Sequence, residues 1–157
     1  MLDKMKQPEN LPAHWPCVLG HLQIGWWMLL GFVVFGALLE AMHGFKLDLY
    51  LNVDRATTRV LWTMTHASGA VLGLVHIAFS ASLFSQPSWR ESHVAVASAC
   101  LNSASILCPA AFLVAGALGS PGGVALGFVL AAPGILFLFL CLILTAVGLD
   151  SPRRDRA

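Results

Sequence analysis

Hydrophobic residues dominate four long stretches of the chain, at about residues 22–42, 60–83, 94–118 and 124–149. A helix crosses the hydrocarbon core of a bilayer, about 30 Å thick, with about 20 residues, and each stretch reaches that length. Backbone groups within a membrane cannot bond to water, so each stretch must satisfy its own hydrogen bonds and is predicted to be a helix. The pattern therefore predicts an all-α, polytopic membrane protein with a four-helix transmembrane bundle.

The four predicted spans form a single domain over residues 1–157, with tails at 1–20 and 150–157, the first of which is proline-containing and expected to be irregular. An even number of spans places both tails on one side of the membrane. The basic residues on that side are Lys4, Lys6, Arg90, Arg153, Arg154 and Arg156, and those on the other side are Lys46, Arg55 and Arg59. Because basic residues concentrate in cytoplasmic segments, both termini are predicted to be cytoplasmic.

Two connections between the spans carry structural signals. Residues 119–123 are rich in glycine and proline, which predicts a tight turn and antiparallel packing of the third and fourth spans. Residues 45–54 alternate apolar and polar side chains, a period typical of a half-buried strand. No second strand is available, so the segment is interpreted either as an interfacial loop or as a strand that pairs with another subunit. Asp54 is expected to cap the helix that follows.

Composition supports the membrane assignment and excludes several functions. Of the 157 residues, 57% are hydrophobic and 11% charged, against about 45–50% and about 25% in soluble domains. The net charge of +1 argues against nucleic acid as a partner. The four cysteines contain no C-x-x-C motif, so a thiol–disulfide function is not indicated.

Three ionisable residues lie near the outer ends of the first two spans. Glu40 and His43 are three residues apart and share a helix face, while His66 lies at a similar depth in the second span. Glu-x-x-His occurs in di-iron bundles, but this chain has no second copy. The hypothesis is therefore a mononuclear copper, zinc or iron site of Glu40, His43 and His66. The alternative is a hydrogen bond between Glu40 and His66 that joins the two helices.

Histidines near the inner ends of the spans are candidates for binding a cofactor. His21, His76 and His93 lie at similar depths on the first three spans. A b-type haem takes two imidazoles from different helices at one depth. His76 with His21 or His93 meets this condition, as does His66 with His43. The candidate cofactor-binding residues are therefore His66, His76, His21 and His93.

The second span carries the most distinctive run in the chain, WTMTHASGAVLGLVH from Trp62 to His76. Gly69 and Gly73 within it would let a flat ligand or another helix approach closely. The run resembles the core helix of uncharacterised small four-helix integral membrane proteins of bacteria, which share a Trp…His…Gly…Leu…His pattern. Some of these carry a further His where this chain has Ser68. The resemblance implies a bacterial inner-membrane protein and no particular activity.

These observations lead to two main functional hypotheses. In the first, the chain is a small subunit or accessory protein, without independent enzymatic activity, that holds haem b or a transition metal for electron transfer. In the second, it is a cofactor-free structural or assembly partner whose polar residues tie helices together. A small transporter is a third reading, although only Asn102, Ser103 and Ser105 supply polar groups at mid-membrane. The expected partners are the lipid bilayer and either other membrane subunits or further copies of the chain.

Overall fold

The computed structural model describes residues 14–52, 55–86 and 89–154, and all the regular structure in these residues is helical. The helices are α1 (Trp15–Gly44), α2 (Asp48–Leu51), α3 (Ala56–Ser85), α4 (Glu91–Leu118) and α5 (Pro121–Arg154). Four of them, α1, α3, α4 and the part of α5 up to Leu149, are long and apolar enough to cross a membrane. The predicted all-α, multi-pass architecture is therefore confirmed.

The helices extend beyond the apolar stretches from which they were predicted. α1 and α3 each contain 30 residues, which corresponds to about 45 Å at 1.5 Å per residue. α1 begins at Trp15, so the expectation of an irregular tail is wrong for residues 15–20, while residues 1–13 lie outside the described residues. Pro16 lies in the first turn, where a backbone N–H has no helical partner and a proline therefore costs nothing. At the other terminus α5 continues to Arg154 rather than stopping near residue 150.

The connection between α1 and α3 is not a strand in its described part. Lys46 adopts a left-handed conformation with φ of 52°, and the chain then forms the single turn of α2. Leu47 accepts hydrogen bonds from the backbone N–H groups of Tyr50 and Leu51, at 2.8 and 2.9 Å. An extended segment without a neighbouring strand would leave such groups unpaired, which is why the alternation failed as a strand signal here. The predicted cap Asp54 lies outside the described residues.

Each spanning helix packs mainly against the next one, in the order α1, α3, α4, α5. Small residues create these contacts, as expected where lipid provides no hydrophobic drive between helices. A Cβ atom added to Gly25 of α1 would lie 2.8 Å from the carbonyl oxygen of Gly73 in α3. Gly119, with φ of 58°, forms the turn between α4 and α5 and confirms their antiparallel packing.

Burial and exposure divide the molecule into a packed centre and an apolar surface. The main hydrophobic cluster joins the start of α1, the second half of α3, much of α4 and Cys141 of α5, and it includes Leu72, Phe79, Leu83 and Leu101. Large apolar side chains of α1 and α5 point outward instead, among them Trp27 at 72% exposure. An outward apolar surface of this kind is suited to contact with lipid.

Candidate functional site

The most deeply buried polar feature is a direct contact between His21 of α1 and His76 of α3. Their Nδ1 atoms are 2.7 Å apart, and the rings stack with centroids separated by 4.9 Å and planes inclined by 29°. His21 is 3% exposed and His76 is fully buried. The close approach of Gly25 and Gly73, about one helical turn from the two histidines, brings the backbones near enough for the rings to meet.

Two serines of α4 bind the outer nitrogens of this pair. His21 Nε2 lies 2.7 Å from Ser98 Oγ, and His76 Nε2 lies 2.7 Å from Ser105 Oγ. The serines are seven residues apart, so they share one face of α4 about 10 Å apart along its axis. All four ring nitrogens of the pair therefore have partners within the protein, and three helices meet in one network.

The hydrogen bonds define a consistent set of proton positions. The Ser105 hydroxyl donates to the Leu101 carbonyl at 2.8 Å, so Ser105 Oγ accepts the Nε2–H of His76. A neutral imidazole has one donor and one acceptor nitrogen, so His76 Nδ1 accepts a hydrogen bond from Nδ1–H of His21. His21 Nε2 then accepts from the Ser98 hydroxyl. With both imidazoles neutral, every donor in the chain therefore points in the same direction.

Further polar contacts attach the start of α1 to its neighbours. Cys17 Sγ–H donates to Ser98 Oγ at 3.8 Å, and the Ser80 hydroxyl donates to the Val18 carbonyl at 2.8 Å. His14, which precedes α1, has its Nε2 atom 2.9 Å from the backbone carbonyl oxygen of Trp89. The network around the histidine pair is thus continuous with the contacts that position this end of α1.

The pair does not fit a bis-imidazole haem site as it stands. Such a site requires one free nitrogen from each ring and room for the macrocycle between the rings. Here the two Nδ1 atoms bond to each other and the two Nε2 atoms bond to serines. His93, on the first turn of α4, is half-buried and outside these contacts. Haem binding therefore stays a prediction from the sequence that this arrangement does not favour.

His66 makes a different contact from the one expected. Its Nδ1–H donates to the Phe32 carbonyl of α1 at 2.6 Å, and its ring lies directly over Gly36. The predicted hydrogen bond to Glu40 is not formed, and Glu40 is exposed. His66 does join α1 to α3, as the structural hypothesis required, but through a backbone carbonyl.

Glu40 and His43 line a cavity of about 380 Å³, together with Tyr50, Arg59, Val60, Thr63 and Met64. His66 is not part of its lining. Within residues 14–52, 55–86 and 89–154, no group of three or more His, Cys, Asp or Glu side chains is arranged to hold a metal ion. The structure does not bring Glu40, His43 and His66 together. A metal site of these three residues therefore stays a prediction from the sequence that the arrangement does not favour.

Sequence reasoning identified His21 and His76 but did not find Ser98. A signal existed: Ser98 and Ser105 are seven residues apart on an apolar helix, a spacing that places both on one face. Asn102, which stood out as a polar residue at mid-membrane, is exposed instead. Comparison of the chain with models of protein families, with curated proteins and with solved structures finds no match.

Proposed function

We propose that the protein is a small, cofactor-free membrane subunit or accessory protein in which the His21–His76 pair locks α1 to α3 and α4. The observation that carries this proposal is that all four ring nitrogens are engaged by the protein itself. A ligand to haem or to a metal needs a nitrogen lone pair that is free to coordinate. Two ring nitrogens of the pair keep a lone pair in these proton positions. They are His76 Nδ1, which accepts a hydrogen bond from His21, and His21 Nε2, which accepts one from Ser98.

The lock has a physical purpose in lipid. Apolar surfaces gain little by contacting each other in hydrocarbon, so hydrogen bonds and close packing determine which helix faces meet. Each interhelical hydrogen bond contributes about 0.6 kcal/mol on average and up to about 1.7 kcal/mol. A buried donor left without a partner costs about 1–3 kcal/mol. The network therefore favours one arrangement of three helices over rotated alternatives.

A fixed arrangement gives the protein a defined outer surface to present to other membrane proteins. The exposed apolar faces of α1 and α5 lie at the two ends of the row of helices, where lipid or a neighbouring subunit has access to them. The proposal places the chain in a bacterial inner membrane with both termini in the cytoplasm. The cytoplasmic position of the termini is supported by the excess of basic residues on their side, and the bacterial inner membrane by the resemblance of the run from Trp62 to His76 to small bacterial membrane proteins.

The test is to measure cofactor content and stability on the same samples. The full chain is purified in mild detergent from haem-replete cells, and its dithionite-reduced minus oxidised spectrum and its metal content are recorded. We expect no haem α-band and no stoichiometric metal, together with a lower unfolding temperature for His21→Ala and His76→Ala. His93→Ala, a histidine outside the network, is the matched control and should unfold like the parent protein. A haem band or bound metal that His76→Ala removes from an otherwise folded protein would overturn the proposal.

A further inference from the structure

The cavity that Glu40 and His43 line lies at the opposite end of α1 from the histidine pair. Glu40 follows His21 by nineteen residues, which is about 28 Å along a helix. This separation is close to the thickness of the hydrocarbon core, about 30 Å. The cavity, between the end of α1, the short helix α2 and the start of α3, also lies where the apolar stretch 22–42 ends, and this end of a spanning stretch is at the level of the lipid head groups.

Opposite charges face this cavity without neutralising each other. Glu40 and Arg59 both line it, yet among the described residues the structure contains no ion pair between them within 4 Å. Arg59 is held by its Nη1 atom, which donates to the Tyr50 carbonyl at 3.0 Å and to the Asn52 carbonyl at 3.5 Å. A guanidinium has five N–H donors on three nitrogens, so these contacts fix the group while using one nitrogen. The cavity thus separates a carboxylate from a positioned cation.

The remaining walls are polar on the side of α2 and apolar beside lipid. The ring of His43 meets the ring of Tyr50 edge-on, with centroids 6.5 Å apart. Val60 and Met64, which also line the cavity, are 57% and 46% exposed. A ligand that fits this lining has both charges in its polar part and an apolar part that continues into the bilayer.

We propose that this cavity binds the ammonium–phosphate head group of an ethanolamine phospholipid. Arg59 would bind the phosphate, as guanidinium groups do with their planar set of donors, and Glu40 would accept hydrogen bonds from the ammonium. An anion alone meets the Glu40 carboxylate, and a metal cation alone meets Arg59, whereas a zwitterion satisfies both. The acyl chains would then follow Val60 and Met64.

The lipid class follows from hydrogen bonding as well as charge. A primary ammonium has three N–H donors for a carboxylate, whereas the quaternary ammonium of choline has none. Phosphatidylglycerol offers the phosphate without an ammonium. Soluble O-phosphoethanolamine offers the same ammonium with a phosphate monoester and no acyl chains. Comparison of phosphatidylethanolamine with phosphatidylcholine, phosphatidylglycerol and O-phosphoethanolamine therefore separates the contributions of the ammonium, the phosphate and the acyl chains to binding.

The experiment titrates the full chain in detergent with each lipid and measures binding by native mass spectrometry. The expected order of affinity is phosphatidylethanolamine first, with phosphatidylglycerol and phosphatidylcholine weaker. Glu40→Gln should reduce the preference for ethanolamine over glycerol head groups by about five-fold, the upper range for partly solvated charges. Arg59→Gln should weaken the binding of phosphatidylethanolamine and of phosphatidylglycerol, because both carry the phosphate. Arg55→Gln and Glu91→Gln change the same charges at exposed positions that do not line the cavity, and should leave binding unchanged.

Glu40→Gln keeps the test decisive, because Arg59→Gln also removes the contacts that hold α2. No side-chain hydrogen bond or ion pair of Glu40 is present among the described residues, so this substitution should not disturb the fold. An unchanged preference in Glu40→Gln would overturn the proposal, as would equal binding of the three lipids by the parent protein. Binding of O-phosphoethanolamine as tight as that of the lipid would overturn the lipid assignment. The result is independent of the histidine pair, about 28 Å away along α1.

Discussion

Replacing His76 by alanine removes a fully buried imidazole that bonds to a histidine on one helix and a serine on another. Two interhelical hydrogen bonds are lost, at about 0.6–1.7 kcal/mol each. The Nδ1–H of His21 is left without a partner, at about 1–3 kcal/mol. The total expected loss in the free energy of unfolding is about 2–6 kcal/mol, before the surrounding side chains relax into the space that the imidazole leaves.

The two histidines should not contribute independently. Once His76 is absent, replacing His21 removes its one remaining side-chain hydrogen bond, to Ser98, and its edge-on contact with Phe79, but no longer the bond between the two rings. The double variant His21→Ala/His76→Ala should therefore be less destabilised than the sum of the single variants, by about 1–2 kcal/mol, within the range for residues in one network. The assay is reversible unfolding in mixed micelles, followed by circular dichroism, with His93→Ala as the control. Single effects that add within about 0.5 kcal/mol would refute the reasoning, because separate sites behave in that way.

Two further pairs of substitutions test the network and the helix packing. Ser105→Ala should lower the free energy of unfolding by about 1–3 kcal/mol, because it leaves the Nε2–H of buried His76 without a partner. Ser103→Ala loses only a bond within α4 and should have little effect. Equal effects of the two substitutions would contradict the assignment of Ser105 to the network. Gly73→Ala places a Cβ atom 3.0 Å from the Gly25 carbonyl oxygen and should cost about 1–3 kcal/mol. Gly31→Ala is the control, because its Cβ atom would meet nothing within 4 Å, and it should be neutral or stabilising by up to about 1 kcal/mol. Thermal unfolding measures both variants. Comparable losses of stability in Gly73→Ala and Gly31→Ala would contradict the close packing at Gly73.

The helices could be predicted from the sequence because membrane spans leave a strong signal in one dimension. Length and apolar content alone determine that a segment such as 60–83 crosses a bilayer. The ends of the helices were predicted less accurately. α1 includes residues 15–20, because a proline is tolerated in the first turn of a helix. The alternation at 45–54 failed because a strand also depends on a neighbour, which a local pattern does not reveal.

The site was harder to predict because it depends on how helices are rotated about their axes. His21 and His76 were recognised as being at similar depth, but depth does not distinguish a direct contact from a shared ligand. That distinction depends on the crossing of α1 and α3 at Gly25 and Gly73. Rotation also explains why the expected partner of His66 was wrong: its ring faces the Phe32 carbonyl, two turns before Glu40.

The most direct test of the account is a measurement of the hydrogen bond between the two rings. In protein labelled with ¹⁵N at histidine, the account predicts a scalar coupling across the hydrogen bond between Nδ1 of His21 and Nδ1 of His76. It also predicts that the proton is on Nδ1 in His21 and on Nε2 in His76, and that His76→Ala abolishes the coupling. Two uncoupled rings, or a nitrogen with the chemical shift of a metal-bound imidazole, would contradict the claim that the pair is a lock between helices.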